Sequence, residues 1–388
     1  MSPKRPLQIQ LLAVSLGSGH LRAAEAIAHA LRVMAPDCQV EILDIKPLVS
    51  PLFRFIQFHG YEFLIEHVPW VWGSLYRTPL FKNKKYAAPK SLLQHGNKAL
   101  VERIRAFGPD VLISTQINCH ELAYFISRRL PKRPRRISIV TDYDIHPMWA
   151  RTPADLLVVA HPIFAEKLVN LGVPRASIDQ LGIPIDLSFQ EPHDRHAICG
   201  RFDLDPGIPI LLVMGGSVGF GELDCVVDEL LRSENPFQVL VVAGRNEKVH
   251  LRLERIEKLW NAIHSRRERT GSMKVKVFGF VDFIPELMTV ADCFITKPGG
   301  LAATEALAKS LPMVFVNPIP GHEEGNAAFL VQQGAAVSVK KISELRPVLN
   351  TLFERDRQKL LEMQSAARGL AKPDAALNLA EHILQIRP

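Results

Sequence analysis

The 388-residue sequence predicts an α/β protein of two domains, each a parallel β-sheet covered by helices on both faces. Three observations carry this. Short apolar runs alternate with segments of helical period, the pattern of β-α-β units. The alternation starts twice, each time at an apolar run that ends in a small-residue turn, Gly17-Ser18-Gly19 and then Gly215-Gly216-Ser217. The length suits two domains of ordinary size, and a composition of 47% hydrophobic and 22% charged residues is that of a folded chain able to bury two cores.

In order, residues 8–14 are the first apolar run, 22–33 carry apolar positions at helical spacing, and 40–44 read as the next strand. The order continues with strand-like 111–114, helix-like 119–130, strands 137–140 and 156–159, and a helix over 162–171. At Gly182-Ile183-Pro184-Ile185 and the polar stretch 190–201 the pattern breaks, which places the boundary after Asp186: a domain 1–186 and a domain 187–388. The second series runs through 210–214, 238–243, 274–278, 293–296 and 313–316. Helix-like segments follow residue 342, the last of them available to pack back on the first domain.

One segment interrupts the first series. Residues 47–89 carry Phe53, Phe55, Phe58, Tyr61, Phe63, Trp70, Trp72, Tyr76, Phe81 and Tyr86 among or beside lysines. Such a segment suits an element that dips into lipid while its cations meet head groups; packing on the domain core is the other reading. The net charge of +7 is uneven: 23 Lys and Arg against 15 Asp and Glu through Asp186, 24 against 25 beyond it. The excess gathers at Lys82, Lys84, Lys85 and Lys90 and at Arg128, Arg129, Lys132, Arg133, Arg135 and Arg136. A solvated face and an attraction to anionic lipid or nucleic acid both fit, and charge does not choose between them. No nucleic-acid-binding motif accompanies it. The five cysteines lack zinc-ligand spacing and read as reduced core residues. No leader-like segment and no run of about 18 apolar residues occurs, so the expectation is a cytosolic protein that does not span a membrane.

Three motifs point to chemistry. Gly17-x-Gly19 has Arg22 where a dinucleotide fingerprint needs its third glycine, and it places His20 at a strand's C-terminal end and a helix start. A helix-capping or buried histidine is the alternative reading there. Thr141-Asp142-Tyr143-Asp144-Ile145-His146-Pro147-Met148-Trp149 gathers two carboxylates, an imidazole and an indole directly after strand 137–140. Asp142-x-Asp144 has the look of a metal-holding D-x-D, a use that the two-domain plan argues against. Thr296-Lys297-Pro298-Gly299-Gly300 opens a helix with Thr304 and Glu305 one turn in, a turn whose amides suit a diphosphate and whose carboxylate suits ribose hydroxyls. Gly321-His322-Glu323-Glu324-Gly325-Asn326 supplies polar groups for a sugar.

Together these segments, with Gly182-Ile183-Pro184-Ile185 and Gly279-Phe280-Val281, resemble the monogalactosyldiacylglycerol synthases and processive diacylglycerol glucosyltransferases. That family is related to the N-acetylglucosaminyltransferase of lipid-linked peptidoglycan precursors. The resemblance implies a GT-B fold, two Rossmann-like domains facing across a cleft, with acceptor and membrane contacts in the first and UDP-sugar in the second. It implies an inverting transfer of a hexose to diacylglycerol or another lipid, with no bound metal and no cofactor, by a protein peripheral on the inner face of the cell membrane. It assigns donor contacts to Gly216, Ser217, Phe280, Val281, Lys297, Gly299, Gly300, Thr304, Glu305, His322, Glu323 and Asn326, and acceptor or membrane contacts to Gly19, Trp70, Trp72 and Trp149. Plant-type galactosyltransferases carry Asp where Ser15 stands and usually Gln where His322 stands.

For the base that takes the acceptor's proton, His20 comes first because an ordinary imidazole pKa of roughly 6.5 suits neutral pH. Asp142 comes second, alone or with His146. The rival readings are a UDP-N-acetylglucosamine transferase acting on another lipid, a UDP-sugar epimerase, a nicotinamide-dependent oxidoreductase and a non-catalytic lipid-surface protein.

Overall fold

The computed structural model describes residues 5–15, 19–78, 97–216, 222–264 and 274–386, and among them are two six-stranded sheets. Each sheet sits in its own unit. The first unit is Met1–Leu187 with Ile319–Gly325 and Lys372–Pro388; the second is Ser188–Pro318 with Asn326–Ala371. The two change over one residue beyond the boundary read from the sequence, and two later segments group with the first unit.

The first sheet contains β1 (Gln8–Ala13), β2 (Gln39–Asp44), β3 (Val111–Ser114), β4 (Arg135–Ile139), β5 (Leu156–Val158) and β6 (Ile178–Asp179) in the order β2-β1-β3-β4-β5-β6, all parallel. The central strands are near-continuous apolar runs because both of their faces are covered, whereas edge strand β2 buries only Leu43. β6 escapes sequence reading because two residues carry no periodicity. On one face, Ala24, Ile27 and Leu31 of helix Gly19–Met34 join Ala376, Leu379, Ala380 and Ile383 of helix Ala375–Leu384. The opposite face buries Phe53, Phe58, Leu100, Ile104, Leu122 and Ile126.

The aromatic insertion is helical over Pro51–Arg54, Gly60–His67 and Pro69–Arg77, with a wide turn at Phe55–His59. Ser50 starts it by accepting the Phe53 N–H at 3.2 Å, and Pro51 fits the first helical turn, where no N–H is needed. The insertion divides its aromatic residues between the domain core and the surface. Phe53 and Phe58 are fully buried edge to face, which contributes about 1.5–3 kcal/mol each. Phe55 (67% exposed), Phe63 (58%) and Trp70 (70%) point to solvent with Leu52 and Ile56. Phe81, Tyr86 and the lysines from 82 to 90 lie outside the described residues.

The second sheet contains β7 (Ile210–Met214), β8 (Gln238–Val242), β9 (Val275–Phe278), β10 (Cys293–Thr296), β11 (Met313–Val316) and β12 (Ala336–Val339), ordered β12-β11-β10-β7-β8-β9 and all parallel. Leu211, Val213, Val239, Val241 and Ile295 form its centre, closed by Leu230, Leu253, Leu349 and Met363. In each sheet the direction of winding reverses once, between β1 and β3 and between β7 and β10. Ligands of open α/β sheets bind outside the strand ends at such a point.

The cysteine reading needs one correction. Cys119, Cys199 and Cys293 are buried, but Cys38 is half-buried and Cys225 is exposed on the outer side of helix Leu223–Leu231. Among the described residues, no helix is long and apolar enough to cross a membrane.

Candidate active site

In the first unit, helix Gly19–Met34 begins at the end of β1, beside the end of β3, and brings His20 to the reversal point. Its Nδ1 lies 3.0 Å from the Thr115 carbonyl and 2.9 Å from Thr141 Oγ1, while the Thr141 hydroxyl donates to the same carbonyl and the Thr115 hydroxyl donates to the His20 carbonyl. A carbonyl only accepts, so Nδ1 carries the proton. The neutral ring therefore keeps its lone pair on Nε2. Burial holds the His20 pKa below its ordinary value, nearby Asp142 opposes this, and His322 adds to the lowering. The imidazole is thus neutral at neutral pH and competent as a base.

The loop after β4 carries Asp142, Asp144 and His146. Asp144 accepts the Ile145 N–H at 2.8 Å and pairs with Lys167 at 3.3 Å. His146 caps the short helix Pro147–Ala150, its Nδ1 accepting the Met148 N–H at 3.3 Å, and its ring lies 4.4 Å from that of Tyr76. His146 Nδ1 thus holds the loop's shape, whereas the Nδ1 of His20 is held by Thr115 and Thr141. Burial, then the carboxylates of Glu323 and Asp142 for Tyr61 and of Asp144 and Asp142 for Tyr76, push both phenol pKa values up, so both remain donors.

The segment Ile319–Gly325, assigned from the sequence to the second domain, groups with the first unit because glycines let it lie against the aromatic helices. A Cβ on Gly73 would come within 2.5 Å of Pro320 Cβ, and one on Gly325 within 2.6 Å of Asp144. Gly321 has φ +108°, and its missing Cβ would meet Tyr76 at 3.1 Å and Trp72 Nε1 at 3.3 Å. The loop is tied by its own acids: Glu323 accepts the Ile319 N–H at 2.7 Å and Glu324 the Gly321 N–H at 3.1 Å. His322 opens the helix His322–Gln332. A cavity of about 570 Å³ lies here, lined by Tyr76, Asp144, His146, Lys167 and Glu324 among others.

Of the residues expected at the acceptor or membrane, Gly19 heads the His20 helix and Trp70 is exposed. Trp72 is half-buried, 4.9 Å from Tyr61 edge to face. Trp149 is only 5% exposed and packs on His120, so it does not lie at the surface. His120 was missed by sequence reading. Its Nδ1 accepts from Ser138 at 2.8 Å and its Nε2 donates to the Thr152 carbonyl at 3.1 Å, which ties the far end of the 141–152 loop to β4. Burial pushes its pKa down to about 4.

In the second unit, the winding reversal sets the two glycine turns side by side: Met214 and Thr296 are register partners, and the Thr296 hydroxyl donates to the Met214 carbonyl at 2.9 Å. Gly216 has φ +76°, the left-handed region that favours glycine; Ser217, like Gly17 and Ser18, lies outside the described residues. Gly299 caps the nine-residue helix Gly300–Ala308, and half-buried Lys297 precedes it. Thr304 is buried with its hydroxyl on the Gly300 carbonyl at 2.7 Å, and Glu305 is buried one turn in. Asn326 is fully buried and donates to the Pro298 carbonyl at 2.9 Å, so its amide shapes this turn. Phe280 is 50% exposed with the Arg245 guanidinium 4.5 Å over its ring, and Val281 is half-buried beside it. Arg245 carries no signal in the sequence; only the fold brings it to Phe280. Among the described residues no group of three or more His, Cys, Asp or Glu could hold a metal ion.

The model of the monogalactosyldiacylglycerol (MGDG) synthase family matches residues 20–185, and that of the glycosyltransferase family 28 C-terminal domain matches residues 210–379. A processive diacylglycerol beta-glucosyltransferase of Bacillus licheniformis is 29% identical over 371 residues, 93% of this chain and 90% of that one. Its namesake from Bacillus mycoides is 28% identical over 97% and 93% of the two chains. Among solved structures, MurG of Acinetobacter baumannii has a TM-score of 0.63 at 18% identity, covering 98% of this chain and 100% of its own. Anabaena Alr3699/HepE in complex with UDP-glucose has a TM-score of 0.53 at 15% identity, covering 97% and 99%. The fold is that of the GT-B glycosyltransferases, two Rossmann-like units in one chain.

Proposed function

Because this chain belongs to the glycosyltransferase family that joins an MGDG-synthase domain to a family 28 C-terminal domain, we propose that it moves glucose from UDP-glucose to diacylglycerol at a membrane surface, inverting the anomeric carbon. The observation that carries the reading is His20, held by Thr115 and Thr141 as the tautomer whose Nε2 can take a proton.

The acceptor hydroxyl attacks C1 of the glucose from the face opposite UDP. As the new C–O bond forms, the bond to the diphosphate oxygen breaks and the hydroxyl proton passes to His20 Nε2, with Asp142 close enough to stabilise the imidazolium. In the donor part, Phe280 and the Val281 backbone hold uracil, Glu305 the ribose, and Gly216 and the amides at Gly299 and Gly300 the diphosphate. Lys297 and the helix start offset the charge that grows on the leaving group, which makes a bound metal unnecessary. His322 and Glu323 stand beside the hexose. The exposed Leu52, Phe55, Ile56, Phe63 and Trp70 enter the lipid on the cytoplasmic face of the membrane, and anionic head groups attract the basic excess of this part of the sequence.

The test offers purified protein UDP-glucose, UDP-galactose and UDP-N-acetylglucosamine in turn, with and without diacylglycerol liposomes, reading UDP release and lipid mass. A single-hexose mass gain on diacylglycerol, largest with UDP-glucose, is the expected result. UDP binding with no product on that lipid would overturn the acceptor, and a gain only from UDP-N-acetylglucosamine would overturn the donor.

A further inference from the structure

Two neighbouring strands of the second unit bring Arg245 and Phe280 together. β8 and β9 are parallel with Val242 opposite Phe278, and the Ala243 N–H donates to the Phe278 carbonyl at 2.8 Å, so the two segments leave the sheet side by side. Gly244 then turns at φ +65°, the left-handed region, and the Asn246 side chain accepts the Val249 N–H at 3.2 Å to cap helix Glu247–His264. Arg245 stands between that turn and that cap, which fix its backbone before any ligand arrives. The segment after β9 is anchored around Phe280: Phe278 and Phe283 meet edge to face at 5.7 Å, and Phe202 lies 5.5 Å from each. Phe280 is half-exposed, with the guanidinium 4.5 Å over its ring. An exposed ring has rotamer freedom that a ligand landing on it must remove. A guanidinium restrains such a ring well, because it is a flat cation that stacks on the electron-rich face, whereas an ammonium is a strongly hydrated point charge. With Arg245 in place, half of Phe280 still meets solvent, enough surface for a planar ligand to lie on.

We propose that Arg245 is a positioning residue for the donor: its guanidinium holds the Phe280 ring in the orientation on which the nucleobase of the UDP-sugar stacks. The proposal rests on the donor reading above and adds to it a residue that acts through another. Arg245 works on the ring and does not touch the diphosphate. Its effect therefore falls on donor affinity and not on the chemical step.

The test titrates UDP by calorimetry into wild type, Arg245→Met, Arg245→Lys, Phe280→Leu and the double variant of Phe280→Leu with Arg245→Met. Arg245→Met should weaken UDP about three- to tenfold and raise KM for UDP-glucose by a similar factor, with kcat kept within about twofold. Arg245→Lys, which keeps the charge and loses the flat plate, should fall between wild type and Arg245→Met. In the Phe280→Leu background, where no aromatic face remains, Arg245→Met should change UDP affinity by less than about twofold. Sodium chloride raised from about 0.05 to about 0.5 M should weaken UDP equally in wild type and Arg245→Met, because only the loss of a phosphate contact flattens that response. UDP affinity untouched by Arg245→Met would overturn the positioning role. Equal losses with and without the Phe280 ring, or a flattened salt response, would overturn it too and assign Arg245 to the phosphates. Wild type that binds no UDP would count against the donor reading itself, whereas UDP that binds wild type and Arg245→Met alike removes only the role of Arg245.

Discussion

At the residue scale, two histidines divide the work of the first unit by how their nitrogens are held. His20 has one nitrogen anchored and one available, so replacing it with alanine should cut transfer by about 10²–10⁴-fold and leave UDP affinity, read by calorimetry, unchanged. Because burial lowers its pKa, protonation switches the base off only on the acid side: kcat/KM should fall as pH drops through a value below 6.5 and stay level between there and neutrality. Normal turnover by His20→Ala would remove it from the mechanism. His120 has both nitrogens occupied and a pKa near 4, so below pH 6.5 the unfolded chain gains a proton that the folded one refuses. Stability should therefore decline between pH 6.5 and 4. Urea midpoints should fall over that window in wild type and less steeply in His120→Gln. The position of His20 at a strand-to-helix junction was legible in the sequence because an apolar run, a glycine turn and a helical period follow one another there; the bonds of His120 were not, because nothing local distinguishes a histidine bonded to Ser138 of β4 and to Thr152 of the following loop from a solvated one.

At the scale of elements, helix Pro69–Arg77 has two unlike sides. Trp70 faces solvent, while Trp72, Gly73 and Tyr76 bear on the loop Ile319–Gly325. A methyl on Gly73 has no room against Pro320, so Gly73→Ala should cost about 1–3 kcal/mol by chemical denaturation and raise KM for UDP-glucose as the loop shifts. On the outer side, Phe63→Ser with Trp70→Ser should weaken sedimentation with lipid vesicles at least about tenfold, given ~1.5–3 kcal/mol per large side chain taken out of water. The strand-and-turn alternation made the two sheets and both glycine turns readable, because period and punctuation are local. Docking of a loop near residue 320 against a helix near residue 73 is a tertiary fact, and only the glycines at 73, 321 and 325 hint at it. Trp149 misled for the same reason: an indole near a strand end suits a binding face as well as a core.

At the scale of the whole molecule, β4 separates the basic run from the loop that carries Asp142, Asp144 and His146. The basic run enters at the N-terminal end of β4, whereas the loop 141–149 and Tyr76 lie at its C-terminal end. Part of that run is structural: Arg136 is buried over Tyr124 and donates to the Pro153 carbonyl, and Lys132 bridges to Asp110. Replacing Arg128, Arg129 and Arg133 together with alanine should therefore leave vesicle binding within about twofold, whereas a large loss would place the lipid contact at that end as well. In the second unit, strand order alone leads to the two glycine turns proposed for the donor, since the reversal between β7 and β10 is where two strand ends leave a crevice. Transfer rates should be unchanged by chelator if the Gly299 helix start and Lys297 suffice for the leaving group, and loss of activity restored by added Mg²⁺ would contradict that. Helix Ala375–Leu384 has a different kind of consequence. It supplies Ala376, Leu379, Ala380 and Ile383 to the core of the first unit, against helix Gly19–Met34. On the ribosome, that core stays incomplete while residues 188–371 are made, a wait of roughly ten to forty seconds at ~5–20 residues per second. For that interval the side of helix Gly19–Met34 that the last helix covers stays open to water, so the first unit finishes its core only when synthesis is nearly over.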